Sequence, residues 1–320
     1  MARIKKNELE INIAGLDIGS ANCKDNTGIT FESKTGEDYN PIGESRAVIL
    51  NGEKFTYGKG VYCNTKDAKF KEPNFDKLLV TLLAMNSPLE NHKIALGLPI
   101  GQYDKYKDDL RTYVLQNKEH RIKIGNQEER TIRILDVEVM PEGMGVLYSL
   151  KDEDFEEIGH KRKCLIVEIG GKTTDTVLLS QGEYEDREIE TFSTITDTGT
   201  MQIYNKLQPI IEKRMGATCK LETAKLVAED KLDMYDSETG EVVDFSADIE
   251  SILDELYNTI VSSLRHKYPE IATYKILLCG GGAELYEERF KKEFKKNVMV
   301  NTDLNANAKG FHAYAKEVFA

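Results

Sequence analysis

"VEIGGKTTDTVLL", residues Val167 to Leu179, is the stretch on which the fold turns. It contains Gly171-Lys172-Thr173, the ending of a well-known phosphate-binding loop. That loop needs another glycine five residues before Gly171, so that backbone N–H groups can wrap the phosphates. Ile166 stands there, inside an apolar run, so the P-loop reading fails. The stretch reads instead as a strand, a tight turn at Gly170-Gly171 and a second strand, with an acid at each end.

A second copy lies far upstream. "GLDIGSANCK" (Gly15–Lys24) and "IVEIGGKTTD" (Ile166–Asp175) share an apolar strand, an acid, an apolar residue, a glycine, a small residue and a polar strand. Asp17-Ile18-Gly19-Ser20 answers Glu168-Ile169-Gly170-Gly171. Two such hairpins facing one another would clamp a polyphosphate, because glycine lets the backbone approach phosphate oxygens closely. Ser20, Thr173 and Thr174 would add hydroxyl donors. The acids repel phosphate and make sense only with a divalent cation held through its water shell, as Mg²⁺ usually is. The plain alternative is two ordinary turns with solvated acids. A third glycine cluster, "ILLCGGGAEL" (Ile276–Leu285), follows a buried strand and opens a helix, so that Gly280, Gly281 and Gly282 could lie against a flat base. A lone glycine triplet also suits a plain strand-to-helix turn.

The rest of the chain fits this frame. "INIAGLDIG" and "KIALGLPIG" read as strands, and "AVILNGEKFTYG" as a hairpin turned by Asn51-Gly52. "NFDKLLVTLLAM" has helical spacing, and a helix is expected to open at Pro141. Later segments alternate strands with helices near 198–215, 221, 247–266 and 284, and the chain closes on the helix "NAKGFHAYAKEVFA". This alternation predicts α/β domains with mixed sheets. A length of 320 residues suits about two domains. The charged run "KDEDFEEIGHKRK" places the boundary, giving domain I over 1–160 and domain II over 161–303, with the helix at 304–320 packing back on domain I.

Bulk properties exclude several classes. Composition is 40% hydrophobic and 31% charged, ordinary for a soluble domain. No apolar run approaches a membrane span, and the basic start reaches Glu8 and Glu10 before any apolar core, so neither a membrane nor secretion is expected and the cytoplasm is. A formal charge of −12 argues against direct nucleic-acid binding. The lysines at 291–292 and 295–296, interleaved with acids, read as a solvated helix face. Cys23, Cys63, Cys164, Cys219 and Cys279 form no zinc spacing and read as reduced thiols, Cys164 and Cys279 as inert core. The five histidines show no ligand spacing.

In this order, the motifs resemble the actin, sugar-kinase and heat-shock ATPase superfamily, and within it the ParM-type bacterial actins that segregate plasmids. The resemblance runs over nearly the whole chain. "DVEVMPEGMGVLYSL" resembles the connecting motif, "TDTGTMQIYNKL" the Gly-Thr helix start that contacts the nucleoside, and "ETAK" the pair near ribose and base. "CGGGAEL" is the adenosine motif almost letter for letter, and "NANAKGF" resembles the closing Asn-x-x-Gly helix.

The resemblance implies two similar actin-like, ribonuclease H-like domains flanking a cleft that holds ATP (or GTP) and Mg²⁺. It implies that Gly19, Ser20, Asn22 and Lys24 meet the β- and γ-phosphates from one side, and Gly170, Gly171, Lys172, Thr173 and Thr174 from the other. Gly199, Thr200, Glu222, Lys225, Gly280, Gly281, Gly282 and Ala283 would hold the nucleoside. Asp17 and Glu168 would carry the hydrated metal, and Glu142 would orient or deprotonate the attacking water. For several of these a structural reading stands beside the functional one. Glu142 after Pro141 also suits the first turn of a helix, Lys24 a surface strand, and Glu222 with Lys225 an ordinary helix ion pair. Two positions depart from the family pattern: Glu168 replaces the usual Asp, and Lys172 replaces a small residue. The implied function is a nucleotide-driven filament working with a basic, DNA-binding adaptor of the ParR type. The alternative from another class is a small-molecule kinase, although no sugar-binding constellation is evident. A chaperone would need a substrate domain, and a cell-shape actin a membrane-binding segment that "MARIKKNELEINI" is too acidic and short to supply.

Overall fold

The computed structural model describes residues 10–37, 46–62, 68–182 and 187–320. Cys63 and residues 1–9 lie outside these. The chain divides into two compact units, one made of 1–151 with 304–320, the other of 152–303.

The first unit is built on a sheet whose central strands are nearly continuous apolar runs. β1 (Ile11–Ile18) lies parallel to β8 (Asn91–Leu98), which lies parallel to β10 (Arg130–Pro141). β2 (Asn22–Asp25) and β3 (Thr30–Glu32) continue antiparallel from β1. Beyond β10 follow β9 (Glu119–Ile124) and the hairpin of β5 (Ala47–Leu50) and β6 (Glu53–Tyr57). Asn51 and Gly52 both take positive φ (52° and 88°), which matches the right-handed strand twist in a two-residue turn. The short strands β4 (Lys34–Gly36) and β7 (Val61–Tyr62) finish that edge.

Alternation along β1 sends successive side chains to opposite faces. Ala14, Leu16 and Ile18 join the core formed with α1 (Phe75–Asn86) and with Tyr106, Leu110 and Val114 of α2 (Ile100–Gln116). Ile13 packs with Ala95, Met140, Phe311 and Ala315. The last two belong to α9 (Ala306–Phe319), the closing helix, which packs on β1, β8 and the short α3 (Met144–Tyr148). α3 and α9 meet backbone to backbone: a Cβ at Gly310 would stand 1.7 Å from the Gly145 carbonyl oxygen. This contact tolerates only glycine. The helix expected at Pro141 does not start there. β10 runs through Pro141, Glu142 donates its N–H to the Leu98 carbonyl at 2.7 Å, and α3 begins at Met144.

The second unit repeats the central plan. β11 (Cys164–Ile169), β12 (Thr174–Leu179) and β13 (Ile189–Ile195) form an antiparallel run. β11 lies parallel to β14 (Lys275–Cys279), which lies parallel to β15 (Val298–Val300). The order β13-β12-β11-β14-β15 thus has the strand directions of β3-β2-β1-β8-β10. Its core is filled from α5 (Met201–Met215), α6 (Leu221–Ala228), α7 (Ser246–Lys267) and α8 (Ala283–Phe294). α4 (Asp152–Ile158) precedes β11. Cys164 and Cys279 are fully buried in this sheet, and burial pushes the Cys164 thiol up to about 12, which keeps it protonated. Among the described residues no helix is long and apolar enough to cross a membrane.

Candidate functional site

Both hairpins read from the sequence are present, with one geometry. Ile18 pairs with Cys23 across the first turn and Ile169 with Thr174 across the second. Gly19 N–H donates to the Asn22 carbonyl at 3.0 Å, and Gly170 N–H to the Thr173 carbonyl at 2.9 Å. Asp17 lies opposite Lys24 in the register, and Glu168 opposite Asp175. The four-residue turns therefore correspond residue for residue in pairing and hydrogen bonding, and each carries a carboxylate two positions before its glycine.

In the first unit Asp17 is buried, and its Oδ2 lies 3.6 Å from Lys24 Nζ. Its Oδ1 is shut from solvent and has no hydrogen-bond partner among the described residues. A buried carboxylate oxygen left in that condition is costly, so it suits an additional cationic or water-borne ligand. That atom is the observation by which the hairpin fits a hydrated divalent cation. Among the described residues no group of three or more His, Cys, Asp or Glu side chains could hold a metal ion. Gly19, Ser20 and Asn22 are half-buried at the turn, and the Ser33 hydroxyl donates to the Gly19 carbonyl at 2.5 Å. Lys24, expected at the phosphates, is held beside Asp17 in this structure.

Glu142 is half-buried in the turn that follows β10. Gly143, with φ of 84°, donates its N–H to Asn307 Oδ1 at 3.1 Å. The closing motif Asn307-x-x-Gly310 thus has a physical meaning: Asn307 fixes the Glu142 turn while Gly310 lets α9 touch α3. Asn305 acts similarly on the first hairpin, donating to the Asp25 carbonyl at 2.9 Å. Neither asparagine was singled out from its chemistry, although the motif containing both was.

In the second unit three separate motifs converge on one spot. Thr200 N–H donates to the Gly170 carbonyl at 3.0 Å, Met201 N–H to Gly171 at 2.8 Å, and Gly199 N–H to Lys172 at 3.1 Å. A Cβ at Gly199 would lie 2.4 Å from both Gly171 C and Lys172 N, so the start of α5 lies directly on the glycine hairpin. Gly282 N–H donates to the Ile169 carbonyl at 3.0 Å, which brings Gly280, Gly281, Gly282 and Ala283 to the same turn. Gly281 is exposed and Ala283 buried. The hydroxyls of Thr173 and Thr174 are engaged inside the unit: Thr173 donates to Asp175 Oδ2 at 2.9 Å, and Thr198 donates to buried Thr174 at 3.0 Å. What this turn offers to a ligand is therefore backbone more than hydroxyl. Glu168 and Lys172 are half-buried. On α6, which packs on α5, Glu222 is exposed and Lys225 half-buried.

Comparison with known proteins follows the same division. Residues 15–145 match the model of the actin-like protein N-terminal domain, and residues 166–292 that of the archaeal actin homologue MreB-like C-terminal domain. The chain belongs to the actin-like proteins. Among solved structures it is similar to a 15-stranded ParM filament from Clostridium botulinum, with TM-score 0.81 and 20% identity over 95% of this chain and 99% of that one. It is also similar to Ta0583, an archaeal actin homologue solved in complex with ADP (TM-score 0.79, 20% identity, 96% and 99% covered). A third relative is the actin-like protein Alp7A (TM-score 0.72, 17% identity, 97% of each chain). No curated protein sequence matches the chain.

Proposed function

We propose that this protein is a ParM-type ATPase that assembles into filaments with nucleotide bound. The observation that carries the reading is the matched pair of hairpins, with Gly19 and Gly170 closed by the same bond at 3.0 and 2.9 Å and one carboxylate behind each. Gly19 to Asn22 and Gly170 to Thr173 would bind the phosphates through backbone N–H groups, with Lys24 as a mobile cation that leaves Asp17 when the metal arrives. Gly199, Thr200 and Gly280 to Ala283 would seat the nucleoside, ATP or GTP, with Glu222 and Lys225 at its edge. Asp17 and Glu168 would hold Mg²⁺ through water, where it neutralises charge on the phosphates. Glu142 would orient or deprotonate the hydrolytic water.

Support for filament formation comes from the neighbour solved as a ParM filament, and for nucleotide binding from the neighbour solved with ADP. Segregation of plasmid or phage DNA through a basic adaptor of the ParR type, in the cytoplasm, is the cellular role we assign; with a net charge of −12 the chain itself would leave DNA contact to that adaptor. Sedimentation with and without ATP and Mg²⁺ tests the reading. A nucleotide-dependent pellet is expected, with phosphate release. No pellet at any nucleotide, salt or protein concentration would overturn it.

A further inference from the structure

The second unit carries two exposed patches of opposite character. Residues 232–243 form a small hairpin, closed by Val243 N–H to the Met234 carbonyl at 2.8 Å and Asp236 N–H to Glu241 at 2.9 Å. Tyr235 and Val242 pair directly across it, so their side chains share a face, and they are 57% and 54% exposed. Leu232, 41% exposed, lies beside them in sequence. The hairpin also bears Asp233, Glu238 and Glu241, none of which forms an ion pair among the described residues. It leads straight into α7: the Phe245 carbonyl accepts from Asp248 and Ile249 N–H in the first turn.

α7 spans 22 residues, about 33 Å at the usual rise. α8 packs along it in the same direction: Arg289 pairs with Glu250 and Asp254 in the first half of α7, Tyr257 meets Phe290 midway (ring centroids 5.5 Å apart), and Arg265 near the C-terminus pairs with Glu293. That places the lysine run that follows Phe290 beside the C-terminus of α7. Glu287 is already bound to Lys291, and Glu293 to Arg265. Lys267, Lys292, Lys295 and Lys296 are exposed and form no ion pair among the described residues. The unit is therefore acidic and apolar at one end of α7, and basic at the other.

We propose that the hairpin of one copy docks on the lysine end of α7 and α8 in the next copy. The occupant is a second copy of this chain because each patch has the chemistry the other lacks. Lysine stems cover the apolar face of Tyr235 and Val242, their ammonium groups meet Glu238 and Glu241, and a cation over the Tyr235 ring adds to the attraction. A polyanion is repelled by the hairpin. Two complementary patches at opposite ends of one unit make a heterologous contact, which extends a strand unless its rotation closes a ring. This contact rests on the filament reading above and specifies where that filament is held.

Charge reversal tests it. The variant Asp233→Lys/Glu238→Lys/Glu241→Lys leaves both ends basic, and Lys292→Glu/Lys295→Glu/Lys296→Glu leaves both acidic. All six side chains are exposed and none belongs to the nucleotide motifs, so each variant should bind a fluorescent ATP analogue as the wild type does. Each alone should raise the critical concentration for pelleting at least tenfold. The equimolar mixture should pellet again, because each end then finds an opposite partner. Variants that pellet individually like the wild type overturn the contact while the filament reading stands, as does a mixture that stays soluble. A wild type that never pellets overturns both.

Discussion

Acidification should destabilise the first unit through one histidine. His92 on β8 has no exposed surface; its Nε2–H donates to the Leu89 carbonyl at 2.8 Å, and Nδ1 accepts from Asn12 Nδ2 at 3.2 Å. Burial, with the Arg130 guanidinium nearby, pulls its pKa down from 6.5 to about 4. The native ring thus stays neutral while the unfolded chain takes up a proton below about pH 6.5, so stability is full above that value and falls with acid. Integrating between the two pKa values gives a loss of about 2 kcal/mol at pH 5 and about 3 kcal/mol at pH 4. The first of these is reached before most carboxylates titrate. Urea unfolding followed by far-UV circular dichroism should show the midpoint dropping by about 1 M between pH 7 and pH 5, for an m-value near 2 kcal/mol/M. His92→Gln, which keeps a donor for Leu89, should be less stable at pH 7 but nearly flat over that range. A wild-type midpoint independent of pH, or a variant with the same slope, would refute the reasoning.

Other outcomes follow from the same geometry. Gly310→Ala forces α9 off α3 by more than 1 Å of backbone, so the first unit should lose about 3 kcal/mol and melt at least about 6 °C lower; calorimetry showing no change would remove the close crossing. Glu142→Gln should bind nucleotide and assemble, yet release phosphate at least roughly a hundredfold more slowly, and unchanged turnover would take Glu142 out of the mechanism. Gly199→Ala should disturb the glycine hairpin of the second unit and weaken nucleotide binding, which titration with a fluorescent analogue measures; full affinity would count against that turn as the phosphate cradle.

The hairpin repeat was legible because each copy combines an apolar strand with a glycine that only a tight turn explains, and the strand directions of both units bear out the α/β reading. Long amphipathic helices such as α7 could be read for a similar reason: several turns of periodic burial leave little ambiguity. The short strands β4, β7 and β15 were not legible, since two or three residues carry no period. Pro141 misled because proline favours the first turn of a helix. Here it ends a strand, where its missing N–H costs nothing and Glu142 supplies the next ladder bond. The roles of Asn305 and Asn307 depend on partners roughly 160 to 280 residues away, and no local pattern announces contacts that distant.

That the closing helix belongs to the first unit has a consequence for synthesis. On the ribosome, residues 152–303 can finish folding while the sheet of 1–151 still waits for α9 to cover Ile13, Ala95 and Met140. The turn bearing Glu142 likewise waits for Asn307. The unit begun first on the ribosome is therefore the one finished last.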